Sequence, residues 1–270
     1  MTQISDTQVR PSGCGCGTSA ALARPLVYAV GKLGFEHASE ARRDALTAEN
    51  GGTPITTGNE LALHLTSHRA RAALITWTLS IDEHPVYVIK PMSAYSQDVY
   101  VKLTQFLAES CVRVSVPGWI TGSERLANGN VVPAIDPCLS GLVGWSAAEL
   151  SKRLGKDLDD KLWGFLGRLF LELRNTGTSP QERARNFAVT EGFIVADKLR
   201  SAADKNLNLR DVSVSHSPIC RPGSECWDTS LTFFNPDKLT TEPLKVLRFT
   251  VDVNDVKPVL IGGIYKMNTY

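Results

Sequence analysis

Ser217-Pro218-Ile219-Cys220-Arg221-Pro222-Gly223-Ser224-Glu225-Cys226-Trp227-Asp228 is the stretch that we expect to organise the fold. Its two prolines restrict the backbone and remove two N–H donors, so the segment is predicted to be a loop with little freedom. Two thiols on a rigid loop can bind a metal, form a disulfide or hold a neighbouring strand. A second thiol pair, Cys14 and Cys16, lies near the N-terminus. We expect the fold to bring the two pairs together.

The composition is typical of a globular protein. The chain has 270 residues, a formal charge of +1 and 43% hydrophobic residues, enough for a sizeable core. The near-neutral balance gives no reason to expect nucleic acid or an anionic membrane as a partner. No apolar stretch approaches the roughly 20 residues of a membrane span, and residues 1–12 lack the hydrophobic region of a secretory signal. We therefore expect a cytoplasmic protein, where paired cysteines indicate metal or redox chemistry more often than disulfides.

The order of helix and strand signals predicts an α+β fold. Residues 1–24 are expected to form a flexible Cys- and Gly-rich leader, and residues 25–270 a single compact domain. Asp159–Arg174 has one broad apolar face, and the capping box at Ser179–Glu182 predicts the start of a second helix, which runs to about Lys205. These two helices predict an antiparallel helical hairpin at the core. From Val212 onward, alternating residues predict an antiparallel meander, so antiparallel sheets would pack on the hairpin.

Two further predictions concern local structure in the first half of the chain. Apolar residues recur at helical spacing between Glu60 and Leu79, which predicts one helical region there. Asn128-Gly129 lies between two apolar segments and predicts a hairpin with a type I′ turn, which requires positive φ at both central residues.

Long, ordered segments between Pro25 and Tyr270 match one known family. They are Tyr28-Ala29-Val30-Gly31-Lys32-Leu33-Gly34-Phe35, Glu40-Ala41-Arg42-Arg43-Asp44, Val116-Pro117-Gly118, Val131-Val132-Pro133, Glu172-Leu173-Arg174-Asn175, Ser179-Pro180-Gln181-Glu182-Arg183-Ala184, Ser217-Pro218-Ile219-Cys220-Arg221-Pro222, Cys226-Trp227-Asp228 and Arg248-Phe249-Thr250-Val251-Asp252-Val253. These segments resemble the C-terminal domain of unknown function of the cyanobactin maturation proteases of the PatA/PatG type.

The resemblance implies a place in the biosynthesis of ribosomally made, post-translationally modified peptides. In those proteases the domain is an appendage to a subtilisin-like domain, and it has no established activity of its own. This chain contains no protease domain and no protease triad, so the module is expected to stand alone and not to cleave or macrocyclise peptides. The resemblance supplies no catalytic residues.

The two cysteine pairs suggest a structural zinc site. Cys14, Cys16, Cys220 and Cys226 supply four thiolates, the ligand set of many tetrahedral zinc sites, and the glycine between the first two lets the backbone curl around a metal. Free thiols or a disulfide remain open as alternatives, because the spacing differs from that of zinc knuckles. Cys138 would be the reserve ligand.

Four arginines are candidates for peptide binding. Arg42, Arg43, Arg174 and Arg183 lie around predicted helix ends, where capping and ion pairs are their simplest role. The alternative is that they line a groove for peptide carboxylates, since the guanidinium group binds carboxylates as a fork.

Three functions follow as hypotheses. The favoured one is a non-catalytic accessory module that binds a precursor peptide or a maturation enzyme of the pathway, for instance at an open sheet edge. The second is a peptide-modifying enzyme with a zinc-bound water. The third is a structural dimerisation domain, which leaves a homodimer open.

Overall fold

The computed structural model describes residues 24–154, 160–190, 207–238 and 241–269. Within these ranges the fold is α+β, with two sheets and six α-helices. The elements are β1 Leu26–His37, α1 Glu40–Glu49, α2 Gly58–Ser67, β2 Ile75–Ile81, β3 His84–Ile89, α3 Ser96–Ala108, β4 Arg113–Arg125, β5 Val131–Pro137, β6 Val143–Trp145, α4 Ala147–Leu154, α5 Asp160–Leu171, α6 Pro180–Thr190, β7 Asn208–His216, β8 Cys226–Phe234, β9 Leu244–Asp252 and β10 Val259–Thr269.

The first sheet closes on itself through the long strand β1. The first half of β1 pairs with β4, where Leu26 faces Trp119, and its second half pairs with β2, where His37 faces Ile75. The order is therefore β1-β2-β3-β5-β4 and back to β1, with β3 and β5 parallel and β6 added beside β4. This order, with a helix between β3 and β4, is that of the OB-fold. Folds of this kind carry many functions, so function has to be argued from the site.

The predicted helical region Glu60–Leu79 is only partly helical. Helix α2 ends at Ser67, a 3-10 helix covers Arg69–Leu74, and β2 begins at Ile75. Ile75, Trp77 and Leu79 are all buried, and this period of two places them on the inner face of the closed sheet. Ile75 and Leu79 are also four residues apart, so these two fit a helical period with the apolar residues before them, and for this reason the sequence pattern is misleading here.

The second sheet is the predicted antiparallel meander. Its order is β10-β9-β8-β7, and each strand pairs with the next along the chain. The apolar residues of the alternating pattern are buried, as predicted. Leu209, Val212 and Val214 of β7 lie in the same core as Leu231 and Phe233 of β8.

The predicted helical hairpin is wrong. Helices α5 and α6 lie within the predicted ranges, but α6 packs on β1, β7, β8 and β9, and α5 packs on β7. The apolar faces of both helices are therefore covered by strands. Residues 191–206, the predicted continuation of the second helix, lie outside the described residues.

Strand β1 joins the two halves of the molecule. Val27 and Ala29 are buried in the core of the closed sheet, whereas Tyr28 and Val30 are buried in the core of the second sheet, α5 and α6. Successive side chains of a strand point to opposite faces, so one strand contributes to both cores. Within the described residues, β1 therefore occupies the organising position that the sequence suggested for the cysteine loop.

Local signals at helix starts are confirmed. At α6 the Glu182 amide donates to Ser179 Oγ at 3.2 Å, and the Glu182 carboxylate accepts from the Ser179 amide at 3.1 Å. The hairpin at Asn128-Gly129 also forms, between β4 and β5, but its turn is not type I′, because Gly129 has positive φ and Asn128 does not. None of the described helices is long and apolar enough to cross a bilayer.

Candidate functional site

A cleft of about 460 Å³ opens between the closed sheet and the C-terminal end of α5. Its apolar lining comes from β1, β2 and α5, and its charged side chains come from β1, the β2–β3 turn, β4 and the residues after α5. The lining residues are Val30, Gly31, Ser80, Ile81, Phe170 and Leu173, with Lys32, Asp82, Glu83, Arg113 and Arg174 as the charged set. Pockets that bind small molecules have volumes in this range.

The turn between β2 and β3 carries two acidic side chains in a left-handed backbone. Asp82 has φ of 49° and Glu83 has φ of 64°, and the turn consists of these two residues alone. Left-handed backbone costs roughly 1–2 kcal/mol for a residue with a Cβ, and Asp tolerates it better than Glu. The tight pairing of β2 with β3 imposes this conformation and sets both carboxylates at the cleft.

Each acidic side chain of the turn faces a basic one across the cleft. Arg174 Nε lies 2.8 Å from Asp82 Oδ1, and Lys32 Nζ lies 3.4 Å from Glu83 Oε2. The Arg174 and Asp82 side chains are 56% and 48% exposed, and the second pair is more exposed still. Exposed ion pairs contribute about 0–1 kcal/mol to stability, so a ligand can replace one partner with little loss to the fold.

Arg113 is the third cation of the cleft and is held by two contacts. Its guanidinium carbon lies 5.2 Å from the centre of the Phe170 ring, and its Nη1 donates to the Val112 carbonyl at 2.8 Å. A cation over an aromatic face is attracted to the ring and loses little freedom on binding an anion. With three cations and two carboxylates, the charged set has one positive charge in excess.

Arg174 is positioned by the loop that follows it. The Tyr28 amide donates to the Gly177 carbonyl at 2.9 Å, and Asn186 Nδ2 donates to the Tyr28 carbonyl at 2.8 Å. Asn175 and Asn186 also bond to each other through their side-chain amides. These contacts tie the loop that follows Arg174 to β1 and α6.

The structure places the four predicted arginines in three separate regions. Arg42 and Arg43 are exposed on α1, near Leu74 and Asp44 respectively. That is the end of the β1–β2 pair where His37 faces Ile75, about 17 Å along β1 from the cleft. Only Arg174 lines the cleft.

Arg183 is buried and serves the fold. Its Nη1 donates to the Thr178 carbonyl at 2.8 Å and its Nη2 to the Val253 carbonyl at 3.1 Å, which ties α6 to the end of β9. Burial lowers the pKa of this guanidinium, and the charge of Glu225 opposes that shift. A side chain engaged in this way is not available to a peptide in a groove.

The structure describes two of the four predicted zinc ligands. Cys220 and Cys226 form a disulfide that closes the β7–β8 loop, and Cys14 and Cys16 lie outside the described residues. The disulfide is one of the alternatives that the sequence left open, and the zinc site stays a prediction for the reduced protein. Cys111 and Cys138 are free thiols, and burial raises the pKa of Cys111 to about 12, which favours the protonated thiol at neutral pH.

Sequence reasoning missed Lys32, Asp82, Glu83 and Arg113. The signal for the turn is a two-residue link between two segments of alternating apolar residues. The predicted helix extends through Leu79, so the first of these segments is not recognised as a strand. Nothing local links Arg113 to Lys32, because β1 and β4 meet only when the sheet closes.

The described part of the molecule is thus an α+β fold with a charged cleft beside the closed sheet. Comparison with known proteins then identifies its family. The model of the PatG Domain family matches residues 26–113, and that of the PatG C-terminal family matches residues 153–267. A solved structure described as "PatG Domain of Unknown Function" is 30% identical, with a TM-score of 0.80, and the match covers 91% of this chain and 99% of that chain. The chain belongs to the PatG-type domains of unknown function. A search of curated proteins found no match.

Proposed function

We propose that the chain is a non-catalytic module of a cyanobactin-type modified-peptide pathway, and that it holds a segment of a precursor peptide in the cleft. The family relationship supports the pathway. The charged set of the cleft supports the binding role, and it is the observation that carries the proposal. The pairing of acids and bases across the cleft suits a peptide, which offers both carboxylates and amines.

The carboxylate of the peptide binds the cations of the cleft. Arg174 is the first candidate, because its guanidinium is about half exposed and its present partner, Asp82, is an exposed side chain that remains hydrated when displaced. Arg113 is the second candidate. Its contacts with Phe170 and Val112 orient the planar guanidinium group before the ligand arrives, so that it can bind a carboxylate as a fork. A charge-assisted hydrogen bond contributes about 1.5–3 kcal/mol, which corresponds to roughly tenfold or more in affinity.

The test uses fluorescein-labelled hexapeptide pools that differ only in a free or an amidated C-terminus. Fluorescence anisotropy should show binding of the free-acid pool at least about tenfold tighter than that of the amide pool. Arg174→Met should reduce this difference. Arg71→Met is the matched control, because Arg71 also forms a half-exposed ion pair, with Glu49, away from the cleft.

Two results would count against the proposal. One is equal affinity for the two pools, and the other is no change on Arg174→Met in a protein that still folds. Mass spectrometry of the same peptides after incubation tests the enzymatic alternative, which predicts a change in peptide mass.

A further inference from the structure

The outer face of the second sheet carries a fixed arginine beside an open edge. Directly paired residues of neighbouring strands point to the same side of a sheet. Arg248 of β9 pairs with Tyr265 of β10, and Thr250 of β9 pairs with Asp228 of β8, so these side chains form adjacent rows of one face. The face shares no residue with the cleft.

A buried carboxylate holds Arg248 in place. Asp228 Oδ2 accepts from Arg248 Nη2 at 2.5 Å, and Asp228 Oδ1 accepts from Thr250 Oγ1 at 2.6 Å. Burial alone would raise the pKa of Asp228, but hydrogen bonds from Thr250, Arg248 and Ser217 outweigh it and lower the pKa below its ordinary value. The Asp228 side chain is only 6% exposed, whereas 44% of the Arg248 side chain is exposed. The guanidinium is therefore oriented by one carboxylate and still accessible to a second.

Strand β10 borders this arginine and forms an edge of the sheet. No other strand of the described ranges pairs with its outer side, so its backbone N–H and C=O groups there are open to an added strand. Tyr265 is 65% exposed, and Val259 and Met267 are exposed as well. Exposed apolar side chains on an open edge strand are the features that recruit extended polypeptides by strand addition.

We propose that β10 is the docking edge for an extended acidic polypeptide segment, which adds to the sheet as a fifth strand and places a carboxylate against Arg248. Strands lie 4.7–4.9 Å apart, so the added strand would lie about 10 Å from β9. A Glu side chain and the long Arg248 side chain together span that distance, with Tyr265 and Met267 packing against the apolar residues beside the acid.

Charge selects this occupant over a second copy of the chain. In residues 259–269, Lys266 is the only charged side chain, so a second β10 would bring no carboxylate to Arg248. An acidic segment can form backbone hydrogen bonds with β10 and also place a carboxylate at Arg248.

The test uses three fluorescein-labelled decapeptides and the intact chain. One alternates Glu and Val, the second alternates Lys and Val, and the third is the acidic peptide with N-methylated backbone amides at alternate positions, which blocks strand pairing. We expect the first to bind at least about tenfold more tightly than either control, by anisotropy at low salt. Amide hydrogen exchange should show new protection confined to residues 259–269.

Substitutions test the contributions of Arg248 and of the β10 edge to peptide binding separately. Arg248→Met should reduce affinity for the acidic peptide at least tenfold, whereas Arg210→Met, at an exposed arginine of the opposite edge strand β7, should leave it unchanged. Because Arg248→Met also removes a partner of buried Asp228, Tyr265→Ser provides a second variant at an exposed position, with the same expected loss. Equal binding of acidic and basic peptides, or no effect of either variant, would overturn the proposal. So would a dimer that Tyr265→Ser dissociates, because the edge would then be covered by a second copy.

Discussion

Replacing Gly177 by alanine should destabilise the protein far more than the same change at Gly129. Both glycines have positive φ, 71° and 87°, so both changes introduce left-handed strain of roughly 1–2 kcal/mol. They differ in their surroundings. A Cβ at Gly177 would lie 2.1 Å from the Tyr28 carbonyl oxygen, whereas a Cβ at Gly129 would meet nothing within 4 Å.

The magnitude follows from what must move. The loop has to shift by roughly 1.5 Å to restore an ordinary contact. This shift breaks the hydrogen bonds from the Tyr28 amide to Gly177 and from Asn186 to Tyr28, each about 1 kcal/mol. We therefore expect about 3–4 kcal/mol for Gly177→Ala and about 1–2 kcal/mol for Gly129→Ala.

Urea denaturation followed by tryptophan fluorescence measures both values. A difference of about 2 kcal/mol separates the two midpoints by roughly 1 M, since the slope is about 2 kcal/mol/M. The Gly177 variant should also weaken peptide binding at the cleft, because the loop positions Arg174. If Gly177→Ala were no more destabilising than Gly129→Ala, the close approach of this loop to β1 would not be a feature of the folded protein.

Two other predictions concern the second sheet and the cysteines. The pKa of Asp228 is lower in the folded than in the unfolded state, so its contribution to stability is complete above the ordinary Asp pKa near 4 and is lost as the pH falls through the folded value. Asp228→Asn should therefore reduce the fall in melting temperature between pH 7 and pH 3, and an unchanged fall would contradict this reasoning. For zinc, protein purified under reducing conditions should contain one equivalent by elemental analysis, and Cys220→Ser should lose it. Unchanged metal content and thermal stability in both Cys14→Ser and Cys220→Ser would reject the site.

Features set by neighbours in sequence could be predicted, and those set by the closed sheet could not. The capping box at Ser179 and Glu182 involves residues three apart, and it starts α6 where the sequence indicated. The meander likewise follows from alternation within single strands. The helical hairpin failed for a different reason. Periodicity shows that α5 and α6 each bury a face, but it does not show whether a helix or a sheet covers that face.

For the cleft, the sequence predicts only that an arginine side chain is available to bind a carboxylate. Arg174 was a candidate, but its neighbours in the cleft come from β1, β4 and the β2–β3 turn, which are distant in sequence. The turn was the hardest part. Asn128-Gly129 has the usual composition of a type I′ turn and does not form one, whereas Asp82-Glu83 lacks Gly and Asn and has positive φ at both residues. Strand pairing overrides local preference at both places.

The strain at Glu83 gives a final test of whether the cleft has a function. A left-handed Glu is costly, and its ion pair with Lys32 is too exposed to compensate, so Glu83→Gly should stabilise the fold by up to about 1 kcal/mol. Ser110→Gly is the matched control, because Ser110 also has positive φ, 50°, and lies outside the cleft.

The two variants should differ in peptide binding. Both should raise the melting temperature, but only Glu83→Gly should weaken binding of the hexapeptide pool, since it removes a carboxylate that would pair with amines of the proposed ligand. Backbone strain retained at a site that loses function when relaxed is the expected signature of a binding site. If Glu83→Gly stabilised the protein and left binding unchanged, the strain would be a consequence of the tight turn alone and would not support a binding role for Glu83.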